Sequence, residues 1–337
     1  MAKESPPANQ SPGYGPIKDT SMPHIPQLIR GAVITGWGTA LPEKVITNDD
    51  LAKTMDTSDQ WIRERTGIER RHIGGSTASL SIESGKRALL MSGIDPSEID
   101  ALVLATTTPD RTVPATSVRV QHQLGLRCGA FDINAACSGF VYGLVTAHGL
   151  IAMGARNVLL IGTDTLSRIT DWSDRNTAIL FADGSGAAVL SVVDGPGQLL
   201  AWDLDADGSA EELLYAEIGG NLWMDGKEVF RKAVRVMVDS AKKSMAIAGV
   251  IADEIALVVP HQANIRIIRA ACDRLGVPMD RTAVVLQETG NTSSASIPLA
   301  LFDAADHHRL KSGDLVLLVG FGAGMTAASA IIRWGGV

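Results

Sequence analysis

Short apolar runs recur along the chain, each ending at a polar residue or a glycine. Ala101–Leu104, Ala130–Ile133, Val158–Ile161, Ile255–Val259 and Ala283–Leu286 have the length and composition of buried strands. Between them lie longer mixed segments of helical character. Glu228 to Lys243 sets Val229, Phe230, Ala233, Val234, Met237 and Val238 against Arg231, Arg235, Lys242 and Lys243, the pattern of an amphipathic helix with one buried face. Two stretches carry no Asp, Glu, Lys or Arg: Asn134 to Ala155 and Leu315 to Ile332. Both approach membrane-spanning length. The first contains Asn134, Ser138, Thr146 and His148, and the second is broken by Gly320, Gly322 and Gly324. They read as a helix buried on all sides and as a strand–glycine loop–strand.

The pattern repeats. Ser92-Gly93-Ile94-Asp95-Pro96-Ser97-Glu98-Ile99-Asp100-Ala101-Leu102-Val103-Leu104 echoes Ala248-Gly249-Val250-Ile251-Ala252-Asp253-Glu254-Ile255-Ala256-Leu257-Val258-Val259. Val158-Leu159-Leu160-Ile161-Gly162 echoes Val316-Leu317-Leu318-Val319-Gly320. The spacing far exceeds solenoid periods and predicts a duplicated half-domain. Alternating helix and strand patterns predict an α/β fold with mainly parallel sheets covered on both faces. The expected division is a leader over 1–29, a first half over 30–197 and a second half over 198–337. Six of the 14 prolines fall in the leader, which lacks the apolar core of a secretion signal and is expected to be disordered.

Composition narrows the function. With 45% apolar and 20% charged residues the chain is that of a soluble globular protein. Its net charge of −7 argues against a nucleic-acid binder. Three widely spaced cysteines predict neither a disulfide framework nor a zinc site, and a free nucleophilic thiol suits the reducing cytoplasm. No metal-ligand cluster and no phosphate-cradling glycine loop stands in the sequence.

Three polar residues follow strand-like runs, where open α/β sheets build their sites. Cys137, in Ala136-Cys137-Ser138-Gly139-Phe140, follows Ala130–Ile133 and opens the uncharged helix. The positive end of that helix is expected to favour the thiolate, the attacking form. His261, in Val259-Pro260-His261-Gln262-Ala263-Asn264, follows Ile255–Val259, and Asn291, in Gly290-Asn291-Thr292-Ser293-Ser294-Ala295-Ser296, follows Ala283–Leu286. In the repeat, Cys137 and Asn291 are expected at matching strand-to-helix junctions facing one pocket. Asp183 reads as a turn acid before a strand and His148 as a core histidine.

These motifs, with Asp56-Thr57-Ser58-Asp59-Gln60-Trp61-Ile62, Arg65-Thr66-Gly67-Ile68, Phe181-Ala182-Asp183-Gly184-Ser185-Gly186 and Gly320-Phe321-Gly322-Ala323-Gly324, resemble the β-ketoacyl-acyl-carrier-protein synthase III family. The resemblance runs from about Ile34 to Trp334. It implies a thiolase-like five-layer αβαβα sandwich and a homodimer. It also implies a decarboxylating condensation that starts fatty acid synthesis, with acyl-CoA and malonyl-carrier protein as substrates and no cofactor. Cys137, His261 and Asn291 become the catalytic residues, with backbone N–H groups of Cys137, Gly322 and Ala323 around the oxyanion. Ala323 stands where the family often has glycine. Thr57, Trp61, Arg65, Arg175, Gly226 and Asn264 become coenzyme A contacts, and Val113 and Phe230 border the acyl site. Val113 replaces a bulkier wall projecting from the partner subunit, so the pocket is expected to take more than acetyl. Arg231, Lys232, Arg235, Arg266 and Arg269 are expected to dock the acidic carrier protein. The competing expectations are a relative that primes a polyketide or transfers an acyl group without condensing, and a non-catalytic partner subunit.

Overall fold

The apolar runs pair into two main sheets. The strands are β1 (Arg30–Ala40), β2 (Ala101–Ala105), β3 (Gly129–Ile133), β4 (Asn157–Thr165), β5 (Asp183–Asp194), β6 (Leu199–Ala206), β7 (Ile255–Pro260), β8 (Leu315–Gly322) and β9 (Thr326–Arg333). The first sheet runs β1-β5-β4-β2-β3 and the second β7-β8-β9-β6. The computed structural model describes residues 30–335, so the expected leader over 1–29 lies outside the described residues.

The two sheets share one plan. In the first, β2 pairs parallel with β3 and β4, then β5 and β1 follow antiparallel. In the second, β7 and β8 pair parallel, then β9 and β6 follow antiparallel. All strands of the first sheet precede those of the second. The counterpart of β3 is missing: Ala283–Leu286, expected as a strand, forms no ladder. One bridge joins Val258 to Thr282, and the chain then enters a one-turn helix, Leu286–Thr289. The Gln262 side chain takes the place of the ladder. Its Nε2 donates to Ala283 O (3.1 Å) and its Oε1 accepts from Val285 N (2.9 Å).

The principal helices are α1 (Asp59–Thr66), α2 (Thr77–Ser92), α3 (Thr116–Gln123), α4 (Gly139–Ala152), α5 (Gly226–Ala248), α6 (Ile265–Leu275) and α7 (Ser296–Asp306). Strand alternation sorts them into layers, because successive side chains point to opposite faces. Val103 and Leu160 of the first sheet and Val259 and Leu318 of the second pack with Phe140 and Leu144 of α4 and Leu301 and Phe302 of α7. Leu102, Leu104, Leu159 and Ile161 turn outward onto Ala78 and Leu89 of α2 and Val120 of α3. Val258, Leu317 and Val319 turn outward onto α5 and α6. The result is α2/α3, sheet, α4/α7, sheet, α5/α6: the five-layer sandwich. Phe140 meets Phe302 edge-on at 6.5 Å between the two central helices. The two uncharged stretches are thus accounted for by the β3–α4 junction with α4, and by the β8–β9 hairpin. Among the described residues no helix is long and apolar enough to cross a membrane.

Candidate active site

Four chain segments meet where the halves join, three leaving the C-terminal ends of β3, β7 and β8 and one leaving the one-turn helix Leu286–Thr289. After β3 comes Asn134, then a tight turn over Ala136–Ser138, then α4. After the one-turn helix Leu286–Thr289 comes Asn291, then a matching turn over Ser293–Ala295, then α7. Asn134 Oδ1 accepts from Ala136 N (3.2 Å), and Asn291 Oδ1 accepts from Ser293 N (3.0 Å). Ala136 and Ser293 both adopt positive φ, 48° and 51°. The repeat therefore matches Asn134 with Asn291 and Cys137 with Ser294. The junctions correspond as expected, but Cys137 and Asn291 are three residues out of register within them. Cys137 sits in the turn before α4 rather than in its first helical turn.

His261 follows β7, and its backbone N–H donates to Val319 O (2.8 Å). Its Nδ1 lies 2.6 Å from Ser296 Oγ, and its ring meets Phe321 edge-on at 5.4 Å. Burial lowers its pKa from the ordinary 6.5 to about 3, so the ring is neutral at physiological pH. Asn291 is fixed by its backbone: its N–H donates to Leu180 O and its carbonyl accepts from Ala182 N, both 2.9 Å. With Oδ1 engaged by Ser293, the Nδ2 amide is its free donor. Cys137, His261 and Asn291 line one narrow space together with Gly226, Phe230 and Asn264.

Cys137 departs from the sequence expectation. Burial pushes the thiol up from the ordinary 9 to about 12; a Ser293 side-chain hydrogen bond pulls it down and the Asp164 carboxylate adds to the rise. A helix terminus supplies up to about 2 kcal/mol, roughly one and a half pKa units, which cannot offset this. Cys137 is only half-buried, its side chain bordering the space it shares with His261 and Asn291 as well as a larger cavity. Its backbone is pressed by the β8–β9 loop: a Cβ on Gly322 would lie 2.6 Å from Cys137 N, so only glycine fits. Ala323 has no positive φ and is tolerated, whereas Gly324 carries φ 127°. On the other side of Cys137 opens a cavity of about 440 Å³, lined by Leu166, Ile169, Phe181, Leu214, Tyr215 and Leu222 among others.

Two family models match, 3-oxoacyl-[acyl-carrier-protein] synthase III over residues 131–208 and its C-terminal region over 245–334. A β-ketoacyl-[acyl-carrier-protein] synthase III of Roseiflexus castenholzii is 49% identical over 323 residues, covering 90% of this chain and 98% of that protein. This chain belongs to the β-ketoacyl-acyl-carrier-protein synthase III family. The crystal structure of the 3-oxoacyl-[acyl-carrier-protein] synthase III of Aquifex aeolicus superposes with a TM-score of 0.88 at 44% identity, covering 90% of this chain and all of that one. The priming β-ketosynthase of the R1128 polyketide pathway superposes with 0.86 at 35% identity, covering 90% and 96%.

Of the residues that the synthase III resemblance assigns to coenzyme A, Thr57, Trp61, Arg65 and Arg175 do not line the two spaces at Cys137, whereas Gly226 and Asn264 do. The Arg65 guanidinium lies 4.2 Å and that of Arg175 4.7 Å from the Trp61 ring centre. Arg175 also donates to Asp56 O (2.7 Å). Thr57 Oγ1 is buried with no partner. Gly226 and Asn264 border the narrow space at Cys137; Asn264 also caps α6 through Arg266 N (2.8 Å). Phe230 lines that space, and the Arg266 guanidinium stands 5.5 Å from its ring centre. Val113, 81% exposed, does not line the larger cavity of its own chain.

The basic face is divided. Arg231 pairs with Glu228 (3.0 Å), Lys232 with Asp207 (3.4 Å) and Arg235 with Asp239 (3.6 Å). Arg266 and Arg269 are exposed and have no ion pair among the described residues. Asp183 is a buried structural acid, accepting from Gly74 N (2.7 Å), Ser167 N (2.8 Å) and Ser167 Oγ (2.6 Å). Among the described residues no group of three or more His, Cys, Asp or Glu could hold a metal ion.

Sequence reading missed Asp164. This buried carboxylate accepts from the backbone N–H groups and hydroxyls of Thr107 and Thr108, from Thr106 Oγ1, and from Ser294 N (3.0 Å) and Oγ (2.7 Å). It ties the two halves together beside Cys137. Its one sequence signal is an acid at the end of an otherwise apolar strand. Ser296 was read only as part of the asparagine motif.

Proposed function

We propose that this protein is a β-ketoacyl-acyl-carrier-protein synthase III that condenses an acyl-CoA starter with malonyl-carrier protein, through an acyl thioester on Cys137. The observation that carries the reading is the convergence of Cys137 with two neutral N–H donors, His261 and Asn291, on one space.

The Cys137 sulfur attacks the acyl-CoA carbonyl, and the backbone N–H groups of Cys137 and of the Gly322-Ala323 turn face the oxyanion. Collapse expels the coenzyme A thiolate, which takes the proton the cysteine gives up. The attacking form is the thiolate, so Cys137 gives up its proton before attack, and the acylation as a whole exchanges one thiol for another with no net proton change. Malonyl-carrier protein then enters. Loss of CO2 leaves its electron pair on the thioester as an enolate, held by His261 Nε2–H and Asn291 Nδ2–H. A neutral imidazole suits this step, because it donates without ion-pairing to the malonyl carboxylate that must leave. The enolate carbon attacks the acyl-cysteine carbonyl, the new carbon–carbon bond forms, and Cys137 departs as thiolate and regains a proton.

Finer features follow from the same reading. Thr57, Trp61, Arg65 and Arg175 receive the coenzyme A nucleotide. The 440 Å³ cavity, against the roughly 10–15 Å³ that one water molecule needs on the same measure, leaves room for starters longer than acetyl. A second copy covers the open edge of β3, where Phe131 is exposed. The Val113 loop is pinned beside that edge by Asp132, which accepts from Thr116 N and Ser117 N at 2.8 Å each, and so reaches toward the partner. The reaction draws on no resident cofactor and takes place in the cytoplasm.

The test is a division of labour. His261→Ala and Asn291→Ala should each slow malonyl decarboxylation by about 10²–10³ while Cys137 still accepts an acyl group from acyl-CoA. A variant that lost acylation completely but decarboxylated normally would reverse the assignment.

A further inference from the structure

We infer that Ser296 is a positioning residue whose hydroxyl donates to His261 Nδ1 and so keeps the imidazole proton on Nε2. Nδ1 and Oγ are 2.6 Å apart, and Ser296, the first residue of α7, is buried. The same oxygen accepts the backbone N–H of Gln262 at 3.3 Å. A serine hydroxyl has one proton and two lone pairs. With one lone pair facing Gln262, the proton needs an acceptor. Among the described residues His261 Nδ1 is the acceptor within reach. Were Nδ1 to carry the proton instead, the Ser296 proton would be buried without a partner, an arrangement proteins avoid.

The donor to Ser296 is itself braced. Gln262 Nε2 donates to Pro260 O (2.7 Å) and to Ala283 O (3.1 Å), and its Oε1 accepts from Val285 N (2.9 Å). The serine oxygen is thus oriented from a rigid strand end, and the imidazole from the serine. With its proton fixed on Nε2, His261 donates into the site and has no lone pair there to take the cysteine proton. Ser296 therefore assigns the ring to the enolate step. That last point rests on the enolate role proposed above; the tautomer does not.

The experiment is ¹⁵N NMR of histidine-labelled protein at neutral pH, with the His261 signals assigned by their loss in His261→Ala, combined with decarboxylation and acylation assays. Wild type should show a protonated Nε2 and an acceptor Nδ1. Ser296→Ala should show both tautomers in exchange, with malonyl decarboxylation down about tenfold, short of the roughly 10⁴ that a wrong tautomer costs a serine protease. Retained acylation of Cys137 shows that the variant folds, and Ser296→Thr, which keeps the hydroxyl, should restore tautomer and rate. A wild-type proton on Nδ1, or an unaltered spectrum in Ser296→Ala, overturns the inference. A shifted tautomer with unchanged decarboxylation upholds the hold of Ser296 on the ring and overturns the enolate role of His261.

Discussion

Cys137 illustrates how residue identity and residue environment are read differently. That a cysteine stands at a strand-to-helix junction is legible in Ala136-Cys137-Ser138-Gly139-Phe140. That its surroundings raise the thiol pKa is not, because the groups that do so come from distant segments. The same holds for Asp164 and Ser296, whose hydrogen-bond partners lie in other parts of the chain. His148, in contrast, was readable as a core histidine from the apolar run around it. Both its ring nitrogens are buried without partners, and burial lowers its pKa from 6.5 to about 4. The folded ring stays neutral while the unfolded one protonates below pH 6.5. Stability should therefore be unaffected above that pH and fall as pH drops from 6.5 toward 4, by about 3 kcal/mol from this residue. Urea unfolding across this range should be less pH-sensitive in His148→Phe than in wild type. Equal slopes would mean that His148 is solvated or partnered in the native state.

At the scale of elements, apolar runs located β2, β3, β4, β7, the β8–β9 hairpin and the central helix α4, because full burial writes itself as an uninterrupted apolar run; β1, β6 and α7 carried no such signal. The same reading failed at Ala283–Leu286, where a composition fit for a strand is overridden by the Gln262 side chain and the entry into a helical turn. The β8–β9 loop was legible as glycine-rich, but not which glycine matters. The structure separates them. Gly322→Ala sets a methyl 2.6 Å from both Cys137 N and Ala136 Cβ, so the turn bearing the nucleophile must shift. Acylation by acyl-CoA should fall by about 10² or more if an oxyanion donor is displaced. Ala323→Gly should leave it nearly unchanged. Intact-mass time courses of both variants measure this, and equal behaviour of the two would contradict the proposed loop geometry.

For the whole molecule, the internal repeat was enough to predict two halves, and the outcome is two sheets of the same order sharing α4 and α7. What the repeat could not convey is that the second sheet lacks one edge strand. Charge acts at this scale too. An acidic enzyme with a net charge of −7 needs a local reversal of sign to receive an acidic carrier. Arg231, Lys232 and Arg235 are partly neutralised by their own carboxylates, so on the proposed reading the attraction rests on Arg266, which stands over Phe230, and Arg269. Arg266→Glu with Arg269→Glu should raise the apparent KM for malonyl-carrier protein about tenfold or more. Added salt should weaken the carrier step in wild type, since screening acts over about 8 Å near physiological strength. An unchanged KM would place docking elsewhere. The central claim, that Cys137 carries the acyl group into a condensation, is tested most directly by intact-mass analysis in two stages. Incubation with acyl-CoA should add one acyl mass to the wild-type chain and none to Cys137→Ala. Malonyl-carrier protein should then remove it with release of CO2 and formation of the β-ketoacyl carrier. An equal adduct on the alanine variant, or an acyl-enzyme that persists when malonyl-carrier protein is supplied, would contradict the account.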